Sequence, residues 1–202
     1  MNPRNIISRK LPAVLCVLFL LAVLAACGGG GSGTGVAPGP VADTCDSVSV
    51  PVNGVCEAFA VRVDERAATP FIENGGPVEL EVVLFKPRTG ERFPLLVFNH
   101  GSTGNGSDPA AFGITFTHKG LARFFVQRGW MVAFPQRRGR GRSDGLYDEG
   151  FTPDRSGYSC EFDPAVAGAG RALDDIDAVT DWLRQRPDVD ATQMLLGGTS
   201  RG

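Results

Sequence analysis

Two stretches of this 202-residue chain put a serine at the centre of the pattern G-x-S-x-G: Gly141-Arg142-Ser143-Asp144-Gly145 and Gly198-Thr199-Ser200-Arg201-Gly202. A serine hydroxyl acts as a nucleophile when a sharp, strained turn holds its Oγ clear of the backbone, and glycines on both sides let neighbouring backbone come close. In a chain with 27 glycines the pattern alone is weak, so context has to choose between the two. Ser143 lies inside a glycine- and arginine-rich loop several residues past an apolar run, whereas Ser200 directly follows one. Only Ser200 meets the strand-to-turn requirement. It is the candidate nucleophile, and a turn serine without chemistry is the plain alternative.

The elements that must position Ser200 are read from periodicity. Residues 78–85 alternate at Val78, Leu80, Val82 and Leu84 and predict a strand, followed by a hairpin-like turn at Thr89-Gly90. The continuous apolar runs at 94–99, 130–134 and 193–197 predict strands covered on both faces. Between them, 116–128 carries Leu121, Phe124 and Phe125 at helical spacing before Gly129. Residues 171–186 carry a stripe of Leu173, Ile176, Val179 and Leu183, with Asp174, Asp175, Asp177 and Asp181 read as a solvated face. Residues 150–163 read as irregular. This alternation predicts an α/β fold, a doubly wound and mostly parallel sheet with helices on both faces. Function should then collect in the loops opening at His100, Gln136 and Gly198, at the carboxyl ends of the strands.

Taken in order, these landmarks resemble the N-terminal half of the α/β-hydrolase fold over about 78–202, most closely its dienelactone-hydrolase, prolyl-oligopeptidase-like and dipeptidyl-peptidase-like branches. The resemblance is carried by the strand ending in His100-Gly101, by the strand at 129–134, and by Arg138-Gly139-Arg140-Gly141-Arg142-Ser143. The helix closing on Trp182-Leu183 with Pro187, Val189 and Asp190, and the elbow at Ser200, complete it. Gln136 departs from it, standing where many relatives carry aspartate. The resemblance implies that Ser200 is the nucleophile and that the backbone N–H groups of Ser102 and Arg201 stabilise the oxyanion. It implies that His100 organises its loop rather than serving as base, while His118 reads as a surface or packing residue. The acid and the catalytic histidine should follow the nucleophile in chain order. The reaction implied is cleavage of an ester or amide in a small molecule or peptide through an acyl-serine, with no cofactor.

Arg137, Arg138, Arg140 and Arg142 admit an anion-clamp reading, with one of them holding a substrate carboxylate; salt bridges to the aspartate-rich helix are preferred. A nucleic-acid partner is opposed by the net charge of −2. At the other end of the chain, Arg4, Arg9 and Lys10 precede a short apolar run ending in Leu24-Ala25-Ala26-Cys27, which resembles a bacterial lipoprotein signal cut before a lipidated Cys27. Removing 1–26 takes away three positive charges and moves the net charge from −2 to −5. The apolar run falls short of the ~18 residues of a membrane span. The glycine-rich stretch 27–40 reads as a tether and 41–77 as an N-terminal segment. Together these predict an envelope protein held to the membrane by its lipid.

In an oxidising envelope Cys45 and Cys56, flanking the turn-rich Pro51-Val52-Asn53-Gly54, are expected to form a disulfide, with Cys160 left over, either paired beyond residue 202 or a lone buried thiol. The cysteine spacings match no metal-ligand pattern. The 125 residues of 78–202 fall short of the ~200–250 usual for one α/β domain, so an incomplete hydrolase is expected. A catalytically inactive remnant, or a surface-binding lipoprotein, is the competing expectation.

Overall fold

The computed structural model describes residues 44–63, 77–103 and 106–202. The leader at 1–26, Cys27 and the tether at 27–40 lie outside the described residues. The elements are α1 (Thr44–Ser47), β1 (Gly54–Val63), β2 (Val78–Pro87), β3 (Phe93–Asn99), α2 (Pro109–Phe112), α3 (Lys119–Val126), β4 (Met131–Pro135), α4 (Phe162–Arg184) and β5 (Val189–Gly198). The five strands form one sheet in the order β1-β2-β4-β3-β5. β3 runs parallel to both β4 and β5, and β2 runs antiparallel to β1 and β4.

Successive strand side chains point to opposite faces, and the sheet uses this to build two cores. Leu80, Val82, Leu84, Leu95, Val97, Met131 and Ala133 pack with Val179 and Leu183 of α4. Val83, Phe85, Leu96, Val132 and Phe134 pack with Ala122 and Val126 of α3. The α/β class follows from this arrangement: a mixed sheet with a helix against each face, the doubly wound arrangement.

Several elements differ from the sequence reading, each for a physical reason. Thr89-Gly90 does not join a hairpin, because β4 lies between β2 and β3. α3 is shorter than 116–128: His118 caps it, its Nδ1 accepting the Leu121 N–H at 3.1 Å. α4 begins at Phe162, nine residues before the expected start, in a stretch without an apolar stripe. Its buried line runs Gly168, Arg171, Asp175, Val179 and Leu183, so Asp175 faces inward and Leu173 is exposed. A side chain at Gly168 would collide with the Glu149–Gly150 backbone; here glycine allows close packing and hides the helical signal. β5 is longer than 193–197, and because it forms an edge of the sheet among the described residues, its Leu195 and Leu196 are exposed.

β1, from the segment read only as N-terminal, is an integral strand. Gly54 follows a turn with Asn53 at φ 64°, and the Gly54 N–H bonds to the Pro51 carbonyl at 2.9 Å. The Cys45–Cys56 disulfide ties α1 to β1 across a sequence separation of 11. Cys160 is a free, exposed thiol. No described helix is long and apolar enough to cross a membrane. For a loop of that length the chain-entropy argument gives about 3 kcal/mol of stabilisation. The double variant Cys45→Ala/Cys56→Ala is therefore expected to lower the unfolding free energy by roughly that amount in urea titrations.

Candidate functional site

The parallel pairing of β3 with β5 ends at Asn99 opposite Gly198, so the two loops that follow leave the sheet side by side. The Thr199 N–H donates to the Asn99 carbonyl at 3.2 Å, and the Gly202 N–H to the Thr199 carbonyl at 2.9 Å, closing a tight turn around Ser200. Ser200 is exposed and has φ 57°, a left-handed conformation that a residue with a Cβ adopts at a cost of order 1–3 kcal/mol. The glycines explain how the turn fits. A Cβ on Gly202 would lie 2.4 Å from the Asn99 carbonyl oxygen, and one on Gly198 would lie 2.3 Å from the Gly202 backbone. A Cβ on Gly101 would come within 2.7 Å of the Thr199 carbonyl oxygen and 2.9 Å of the Ser200 Cβ. Both glycines of the pattern and Gly101 are thus needed for contact between these loops.

The other G-x-S-x-G is a structural staple. Ser143 donates its hydroxyl to the Gln136 carbonyl at 2.7 Å and accepts the Glu81 N–H at 2.8 Å. Its oxygen is spent on holding the loop after β4 against β2. Gln136, the departure noted in the sequence, binds the 116 backbone through both ends of its amide. Oε1 accepts from Phe116 N–H at 2.8 Å and Nε2 donates to the Phe116 carbonyl at 2.9 Å.

His100 is buried beneath the same loops and both ring nitrogens are engaged. Nδ1 lies 2.8 Å from the Gly101 carbonyl, to which only a protonated nitrogen can bond, so Nε2 is the acceptor of the Arg137 N–H at 3.3 Å. Burial, with the Arg137 and Arg140 charges adding to it, lowers the His100 pKa to about 3. It is a neutral organiser of the loop and not a base. His118 is committed at Nδ1 to the start of α3.

The arginine loop is anchored by two buried carboxylates. Arg137 pairs with Glu149 through Nε and, at 3.1 Å, through Nη2, and its Nη1 donates to the His100 carbonyl at 2.9 Å. Arg138 meets Asp175 of α4 through its backbone N–H at 2.8 Å and Nε at 2.7 Å. Burial nonetheless raises the Asp175 pKa against the pull of Arg138. The preferred reading of these arginines as salt-bridging is met by Arg138, while reading the aspartates as a solvated face fails at Asp175. Glu149 was not singled out in the sequence, because it sits in a stretch with no periodicity. The Tyr147 hydroxyl donates to it at 3.2 Å and lies 3.2 Å from the Tyr158 hydroxyl. The Arg201 guanidinium stacks 3.8 Å above the Tyr158 ring. Ser102 follows Gly101 on the loop facing Ser200 and is half-buried.

No protein-family model matches this chain, and comparison with curated proteins finds no match. Among solved structures it is similar to an acetyl xylan esterase from Paenibacillus sp. R4, at 19% identity and a TM-score of 0.49, over 80% of this chain and 45% of that one. Acetyl xylan esterase 1 from Thermoanaerobacterium sp. matches at 17% identity and a TM-score of 0.47, over 82% and 45%. An esterase from the archaeon Pyrobaculum calidifontis matches at 19% identity and a TM-score of 0.37, over 71% and 34%. The chain spans less than half the length of these proteins.

The state of His100 sets a pH dependence. Its folded pKa is about 3, below the ~6.5 of an unfolded histidine, so below pH ~6.5 the unfolded chain binds a proton that the folded chain refuses. Stability is lost as pH falls from ~6.5 toward ~3, by about 2 kcal/mol at pH ~5. Chemical denaturation from pH ~7 to ~5 is expected to show this slope in the wild type and a shallower one in His100→Gln.

Proposed function

We propose that this chain is the N-terminal half of an α/β-hydrolase-fold serine hydrolase, lipid-anchored in the bacterial cell envelope, that cleaves an ester or amide of a small molecule or peptide. The observation that carries the reading is Ser200 itself, exposed at φ 57° immediately after a parallel strand, with Gly198, Gly202 and Gly101 packed around it too closely for side chains. A serine held in this way is primed for attack rather than for packing. Its Oγ bonds to the substrate carbonyl carbon, giving a tetrahedral intermediate whose oxyanion is held by the backbone N–H groups of Arg201 and Ser102. One such donor is worth roughly 3 kcal/mol of barrier. Collapse expels the alcohol or amine, and water then cleaves the acyl-serine to release the acid. The Oγ proton passes to the histidine expected to follow the nucleophile in chain order, and from it to the departing alcohol or amine; His100, whose nitrogens are both engaged, does not take it.

Labelling the full-length hydrolase, of which this chain is proposed to be the N-terminal half, with a fluorophosphonate probe tests the nucleophile. Stoichiometric labelling lost in Ser200→Ala and retained in Ser143→Ala is the expected result; labelling that survives Ser200→Ala removes the proposal. The anchoring rests on the charged leader and the Leu24–Cys27 motif. Cys27→Ser is expected to abolish incorporation of radiolabelled palmitate and move the protein from the membrane to the soluble fraction. An unchanged distribution contradicts it.

A further inference from the structure

The arginines of the loop after β4 meet different fates, and one is unaccounted for. Arg137 is matched by Glu149 and Arg138 by Asp175. Arg140 is 7% exposed, yet its Nε and Nη1 are buried without a hydrogen-bond partner among the described residues, and no carboxylate there forms an ion pair with it. Glu149 is close enough to act on it electrostatically, but that carboxylate is already engaged through both oxygens by Arg137 and receives the Tyr147 hydroxyl. A buried, uncompensated guanidinium is costly to a fold.

The backbone holds Arg140 there firmly. Its N–H bonds to the Arg137 carbonyl at 2.9 Å, and the glycines on either side have positive φ, 70° at Gly139 and 57° at Gly141. A Cβ at Gly139 would lie 2.0 Å from the Tyr147 backbone nitrogen, and one at Gly141 would meet the Glu81 carboxylate. The Arg140 guanidinium lies 5.3 Å from the centre of the Tyr147 ring, which packs at 5.0 Å against Phe112. The Tyr147 hydroxyl touches Tyr158, on whose ring Arg201 rests, next to Ser200. The charge of Arg140 also reaches His100, which starts the loop packed against Ser200.

We propose that Arg140 is a substrate-binding residue that receives a carboxylate, so that the preferred ester or amide of the Ser200 site carries a negative charge beside an apolar portion. This rests on the hydrolase reading above. A single unmatched guanidinium beside the Tyr147 ring suits one carboxylate, whose planar geometry it complements, better than a phosphate dianion.

The full-length hydrolase is tested with p-nitrophenyl acetate and with the mono-p-nitrophenyl ester of glutaric acid. The ratio of kcat/KM for the anionic ester to that for the neutral one is expected to fall about tenfold or more in Arg140→Gln, and less in Arg140→Lys. An unchanged ratio overturns the proposal. A second readout needs no turnover: sodium glutarate is expected to raise the Tm of the wild type and of Ser200→Ala but not of Arg140→Gln. A shift of equal size in all three, or none in the wild type, overturns it. In carboxylate-free buffer Arg140→Met is expected to melt no lower than the wild type; a lower Tm means the chain already satisfies Arg140, and the proposal falls. If neither ester is cleaved while the glutarate shift still depends on Arg140, the hydrolase reading fails and the carboxylate site stands. If both esters are cleaved at a ratio indifferent to Arg140, the reverse holds.

Discussion

The buried guanidinium of Arg137 is the tie on which the site depends. It reaches the β3 loop twice, donating from its side chain to the His100 carbonyl and from its backbone to His100 Nε2. It holds the segment before α4 through Glu149. The loop after β3 and the two ends of the long loop between β4 and α4 are thereby fixed relative to one another before any substrate arrives. Removing one partner of such a pair costs about 3–5 kcal/mol, because the other is left charged in a dry environment. Burial first keeps His100 neutral, and the tie reinforces it: its acceptor nitrogen points at an N–H, and two guanidinium groups oppose a second proton.

The geometry of Ser200 is built from that frame by glycine. Gly101, Gly198 and Gly202 each stand where a methyl group would meet backbone atoms. Backbone rather than flexible side chain lies opposite, so the strained turn cannot relax by local adjustment. The energy that holds Ser200 in its left-handed conformation comes from the β3–β5 ladder and from the Thr199 N–H bond to Asn99.

Legibility in the sequence followed the physics of each signal. β2 announced itself by alternation and β3 and β4 as apolar runs, because most of the residues that carry those patterns are buried. The choice of Ser200 over Ser143 followed from the adjoining strand, and the structure separates them the same way, one residue exposed and the other hydroxyl bonded on both sides. What stayed hidden was tertiary in origin. The first half of α4 buries Gly168 and Arg171, residues that no hydrophobic stripe includes. Asp175 looks like surface in the sequence because nothing local reveals that Arg138, 37 residues earlier, arrives to meet it. Glu149 lacked any spacing cue for the same reason, and β1 is only partly buried, so its alternation is blurred.

Leu195 and Leu196 are neighbours on β5 and therefore point to opposite faces, so at this edge both faces of the sheet are bare at once. Beside them runs a row of backbone amides and carbonyls with no ladder partner among the described residues. One added strand would satisfy these amides and carbonyls. While it stands open, this edge is a template that accepts strands by backbone geometry rather than by sequence, and it draws no distinction between a segment of its own chain and one from a neighbour. Whatever segment comes to occupy this edge therefore also closes a ready route to self-association.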